Sequence, residues 1–241
     1  MISSGRFLKL LLFSVIWFCP INTFAQTLDR AQIDKEIDEL WRRIKVKQDL
    51  LLELAPGDKE SNAEFLKQPD TGLIRLLPRE KYDYAGKLPI RGGGSYYSFV
   101  RRTHEYGGSD IGLEQGRLKV GFAGMDFGYM ISLGDIDLDK ASLEHPAVKA
   151  LAEYQPPPTE DEVRAEWKQS SNGHNLGEFL GLHSVPAKES TTYILRSLNY
   201  DQWDVLVAFR VTRQDTDGSL ILLWKLLKTF PKPTAVRSER Y

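Results

Sequence analysis

"DVLVAFRVTRQDTDGSLILLWKLLKTF" runs from Asp204 to Phe230 and decides the fold. Val205, Val207, Phe209 and Val211 alternate on one face of the first half; Leu220, Leu222, Trp224 and Leu226 alternate on one face of the second. A period of two is the signature of a strand. Asp217-Gly218 between the halves is a hairpin turn signal. Leucine richness alone would allow a helix over 219–228, but the β-branched partner and the turn oppose it. The opposite faces are also largely apolar, interrupted by Arg210 and Lys225, so both strands should be central and covered on both sides.

Working outward, "TTYILRSL" before this hairpin reads as a third strand. Upstream lie two helices. "EHPAVKALAEY" carries Pro146 at a first-turn position. "TEDEVRAEW" pairs Thr159 with Glu162 as a capping box. "PPP" at 156–158 forces an extended break between them. Before the helices, "LIRLL", "SDIGL", "RLKVGFA" and "FGYMISL" are short strand candidates forming an antiparallel meander. Gly116 in "LEQGRL" suits a type I turn with a glycine bulge, and "AGMD" marks a second turn. These elements give an α+β class: a mostly antiparallel sheet, meander plus C-terminal hairpin, with flanking helices and a long N-terminal helix.

That helix is read over Asp29–Leu54. Ile33, Ile37, Leu40, Ile44, Leu51 and Leu54 follow alternating steps of four and three, with Lys47 in the one polar slot. The spacing fits a coiled-coil seam, and residues 29–54 become a homo-oligomer element; Trp41 widens the stripe toward docking on the chain's own domain. The expected organisation is a leader over 1–25, a helical arm and connector over 26–70, a core domain over 71–230 and a disordered basic tail over 231–241.

The leader reading rests on Arg6 and Lys9, the apolar run "FLKLLLFSVIWF", and Thr23 and Ala25 before a cut at Gln26. Cys19 is the only cysteine and would leave with it. A mature chain without disulfides, carried out of the cytoplasm, suits a bacterial periplasmic or extracellular protein. No membrane span is expected after leader removal. With 32 Lys+Arg against 33 Asp+Glu, the balance argues against nucleic acid as a partner.

The candidate site is "RGGGSYYSFVRRTHEYGGSD", Arg91 to Asp110. Arg91, Gly93 and Ser95 could present a side chain and successive N–H groups to an anion. No helix or Gly-Lys-Ser/Thr follows, so this is neither a P-loop nor a dinucleotide fingerprint, and no cofactor is expected. Beyond the glycines the stretch reads as an extended strand with apolar and charged residues on both faces. A covered Arg101 or Arg102 then needs a carboxylate: Glu105 and Asp110 are near in sequence, Asp135 or Asp137 could approach across the meander, and the pairing expected is with Asp110. Arg101 and Arg102 are the remaining ligand-binding candidates. His104, Glu105 and Asp110 are the catalytic candidates if the protein is an exported hydrolase. "THEYG" lacks the second histidine of a zinc-protease helix, and His145, His174 and His183 are scattered, so no metal site is expected. Asp135, Asp137 and Asp139 fail the EF-hand pattern at Lys140 and Pro146, though a calcium site of another kind at 135–139 stays open; the reading preferred here turns Ile136 and Leu138 inward and the aspartates to water. The aromatics between Tyr96 and Tyr129 suit a sugar-binding face if they are exposed together. Taken together, the residues favour a non-enzymatic exported binding or interaction module, with an unidentified ligand or protein partner and the meander as its ligand-facing surface.

Overall fold

The computed structural model describes residues 29–82, 94–105, 107–122, 125–169 and 172–237. The proposed leader lies outside them. Two units are distinguished, 1–42 and 43–241. The described part of the first is the beginning of helix α1 (Arg30–Leu52), opened by Asp29, whose carboxylate accepts from the N–H groups of Ala31 and Gln32.

The second unit is an α+β domain. The alternating residues of β10 (Trp203–Gln214) and β11 (Leu220–Phe230) form the expected antiparallel hairpin. Its loop closes with Gly218 N–H donating to Asp215 O at 2.9 Å, and Gly218 takes φ +89°. The pair sits inside a five-stranded antiparallel sheet ordered β1-β11-β10-β9-β5, with β1 at Thr71–Leu76, β9 at Thr191–Asn199 and β5 at Phe127–Gly134.

Both faces of that sheet are covered, as the two apolar sets require. On one side Val205, Val207, Phe209, Leu222 and Trp224 pack against Tyr97, Phe99, Ile111, Leu113 and Leu118. These belong to or flank a second sheet of β2 (Tyr96–Tyr97), β3 (Ile111–Glu114), β4 (Arg117–Lys119) and β8 (Ser184–Pro186). On the other side Leu206, Ala208, Ile194 and Leu198 meet Val148 and Leu151 of α4 (Pro146–Glu153) and Val163 of α5 (Glu160–Gln169). Gly72 is paired with Trp224 across β1 and β11; a Cβ there would stand 2.6 Å from the indole, so glycine makes room for the largest core side chain.

Pro146 opens α4, and Thr159 and Glu162 form the capping box of α5. The β3–β4 turn differs from expectation. Glu114 pairs directly with Arg117, and Gln115 and Gly116 have φ +51° and +68°. That is a two-residue type I′ turn, whose twist matches the strands without a bulge. Residues 56–67, read as connector, hold α2 (Pro56–Ser61) and a 3₁₀ turn at Phe65–Lys67. Short β6 (His174–Leu176) and β7 (Phe179–Gly181) were not anticipated; three residues each give no readable period.

Within the stretch read as a disordered tail, the described residues 231–237 are tied to the domain. Asp201 N–H donates to Pro233 O, Val236 N–H to Pro158 O, and Glu160 N–H to Val236 O. Prolines keep both segments extended, which leaves their remaining backbone groups free to pair.

Candidate functional site

The stretch around Arg101 is not an extended strand. After β2 the chain turns sharply: Ser98 N–H donates to Thr103 O, Arg102 N–H donates to Ser98 O, and Arg102 takes φ +57°. Asp110 explains the turn. Its carboxylate is buried and accepts from Phe99 N–H (2.8 Å), Ser98 Oγ (3.2 Å), Ser197 Oγ (2.7 Å), Asn199 Nδ2 (3.2 Å) and Trp203 Nε1 (2.8 Å). Burial pushes this carboxyl up, opposed by the bonds from Ser197, Trp203, Phe99 and Ser98. Among the described residues, five donors and no cation hold it.

The expected Arg–Asp110 pairing is therefore replaced. Arg101 stacks over Trp203 at 4.8 Å and bonds Glu105 and Gln202, each at 2.9 Å. Arg102 reaches Asp70 at 3.1 Å on the surface. His104 is partly buried, with Nε2 2.8 Å from Arg75 O; burial lowers its pKa, partly offset by that carbonyl. His104, Glu105 and Asp110 thus address three different sets of partners. Ser95 is buried. Arg91 and Gly93 lie outside the described residues.

The aspartates at 135–139 balance the charges that interrupt the central hairpin. Asp135 meets Arg210 at 2.5 Å and Asp139 lies 3.9 Å from Lys225, while Leu138 is buried.

The meander instead borders a cleft of about 460 Å³ that sequence reasoning did not assemble. Its charged centre is Glu114, the last residue of β3. Glu114 Oε2 accepts from Lys119 Nζ at 2.8 Å; its Oε1 is met by Arg79, at the start of the short helix α3 (Arg79–Tyr82), and by the Tyr96 hydroxyl. Partial burial pushes Glu114 up, but the bonds from Lys119, Tyr96 and Arg79 outweigh it and hold the carboxyl at about 2. The aromatic part comes from three segments: Phe122 after β4, Phe127 opening β5 and Trp167 on α5. Trp167 is 47% exposed, and Lys168 and His183 complete the rim.

No family model, curated protein or solved structure matches the chain. The site's chemistry must be read from its geometry. Arg79, Lys119 and Lys168 against Glu114 leave the cleft cationic, and Lys168 makes no ion pair among the described residues. The locked Glu114 network fixes two of those cations in place before any ligand arrives, which lowers the ordering cost of binding. The only sequence signal was the aromatic set between Tyr96 and Tyr129, of which Phe122 and Phe127 line the cleft.

A second hollow, about 480 Å³, is lined by Glu166 of α5, Tyr154 and His174. There His174 Nδ1 is 2.6 Å from Glu166 Oε1, and the Tyr129 hydroxyl donates to the same oxygen. The rings of Tyr129 and Tyr154 stand 5.1 and 5.0 Å from His174. Burial first, then the neighbouring Glu166, raises both phenols, so they act as neutral donors. Neither residue of the histidine–glutamate pair carried a spacing signal.

Proposed function

We propose that this protein is an exported, non-enzymatic binding module whose ligand-facing surface is the meander cleft, and that its ligand is an acidic saccharide. The observation that carries the reading is the exposed indole of Trp167 beside Arg79, Lys119 and Lys168 in one cleft. A flat aromatic face takes a sugar ring by stacking, and a fixed cation pair takes a carboxylate or sulfate on that ring. The basic head, apolar run and small residues before Gln26 support export. No helix among the described residues is long and apolar enough to cross a membrane.

Calorimetric titration with oligomers of a hexuronic acid, beside their neutral counterparts, tests the proposal. Binding should favour the acidic series, and Trp167→Ala and Lys168→Ala should each weaken it about tenfold, the loss of one good contact. Equal affinity for neutral sugars, or unchanged binding in both variants, would sink it.

A further inference from the structure

We propose that two copies of this chain associate through residues 33–44 of α1, with the two helices antiparallel. Three observations carry this, and none depends on the binding cleft.

The first is an exposed apolar seam. Ile37, Leu40 and Trp41 are 44%, 55% and 44% exposed. Ile37 and Leu40, with the half-buried Ile33 and Ile44, follow the alternating four- and three-residue steps that let two helices interlock, and Trp41 flanks that seam.

The second disfavours the parallel arrangement. In an in-register parallel pair each seam residue faces its own copy, so Lys47 would face Lys47 of the partner subunit inside the seam. The flanking positions would set Asp29 beside Asp34 of the partner subunit, twice. Like charges so placed oppose association.

The third is self-complementarity in the antiparallel sense. Setting Ile37 opposite Leu40 of the partner subunit makes every layer from 33 to 44 apolar, because Ile33 then meets Ile44 of the partner subunit. On one flank Glu36 falls beside Arg43 of the partner subunit; two-fold symmetry makes that pair twice. On the other flank Asp34 falls beside Trp41 of the partner subunit, whose indole N–H is a donor for a carboxylate. Lys47 moves out of the seam to the end of the overlap, opposite Arg30 of the partner subunit in the helix's first turn, where both charges reach water. Within one chain Arg43 has no ion pair among the described residues, and Glu36 only accepts from Gln32 at 2.9 Å. Both charges are available.

The test is a charge reversal with rescue. Protein recovered after expression of the full chain is examined by sedimentation equilibrium over a dilution series, with helicity checked by circular dichroism. Wild type should dimerise at hundred-micromolar concentration or below. Glu36→Arg and Arg43→Glu should each weaken dimerisation about tenfold, since each turns two attractive pairs into repulsive ones. The double variant E36R/R43E restores both pairs and should return to within about threefold of wild type. A wild-type monomer throughout the series overturns the proposal. So do single variants that dimerise like wild type, or a double variant as weak as the singles; either result would mean that residues 36 and 43 do not meet.

Discussion

Arg196 is where the fold is most exposed to a single substitution. Its guanidinium and the Asp204 carboxylate pair two-pronged, Nε to Oδ1 at 2.9 Å and Nη2 to Oδ2 at 2.7 Å, with side chains 3% and 2% exposed. The remaining nitrogen, Nη1, donates to the carbonyls of Leu151, Ala152 and Tyr154 at 2.7, 3.1 and 2.8 Å. Those carbonyls end α4 and have no helical partner, so one arginine caps the helix and ties it to the central sheet. Arg196→Ala leaves a buried carboxylate without its cation and three carbonyls without a donor. Removing one partner of a buried pair costs about 3–5 kcal/mol, and we expect the upper end here. Asp204→Ala leaves the helix cap in place, so its loss should be nearer the lower end. The double variant should lose less than the sum, with a coupling of about 2 kcal/mol or more. Urea unfolding at constant m-value measures all three. A loss below about 1 kcal/mol for Arg196→Ala, the size of a surface effect, would refute the reasoning.

Two further outcomes follow from the same geometry. Asp110→Ala strands five donors and should cost about 3 kcal/mol or more, whereas Arg102→Ala, whose ion pair is with the exposed Asp70, should cost about 0–1 kcal/mol and add independently to Asp110→Ala; strong coupling between Arg102 and Asp110 in denaturant melts would contradict the structure. Burial, with the nearby Asp110 charge, raises Asp126 from 3.8 to about 6. The folded chain therefore holds a proton the unfolded chain has released between those values, so this group's contribution to stability rises as pH falls from 7 toward 4. Asp126→Asn should flatten that component of the pH profile, and an unchanged profile would count against it.

What the residues determined alone is local. Alternation plus Asp217-Gly218 specified the β10–β11 hairpin, because a period of two and a positive φ are properties of adjacent residues. The same holds for Pro146 at the head of α4 and for the Thr159–Glu162 capping box. The need of a buried arginine for a carboxylate was also legible, but not which arginine: sequence proximity suggested Arg101 or Arg102 with Asp110. Only tertiary structure assigns that role to Arg196 and Asp204, diagonal neighbours on the adjacent strands β9 and β10. Likewise, Asp110 is held by Ser197 and Trp203, 87 and 93 residues away, and it in turn accepts from Ser98 and Phe99 where the stretch that reads as a strand turns. The cleft gathers Arg79, Glu114, Phe127, Trp167 and His183 from separate segments. No spacing along the chain encodes such a gathering, because it is set by how two sheets and a helix layer stack, and stacking is decided by the sum of many contacts rather than by any short run of residues.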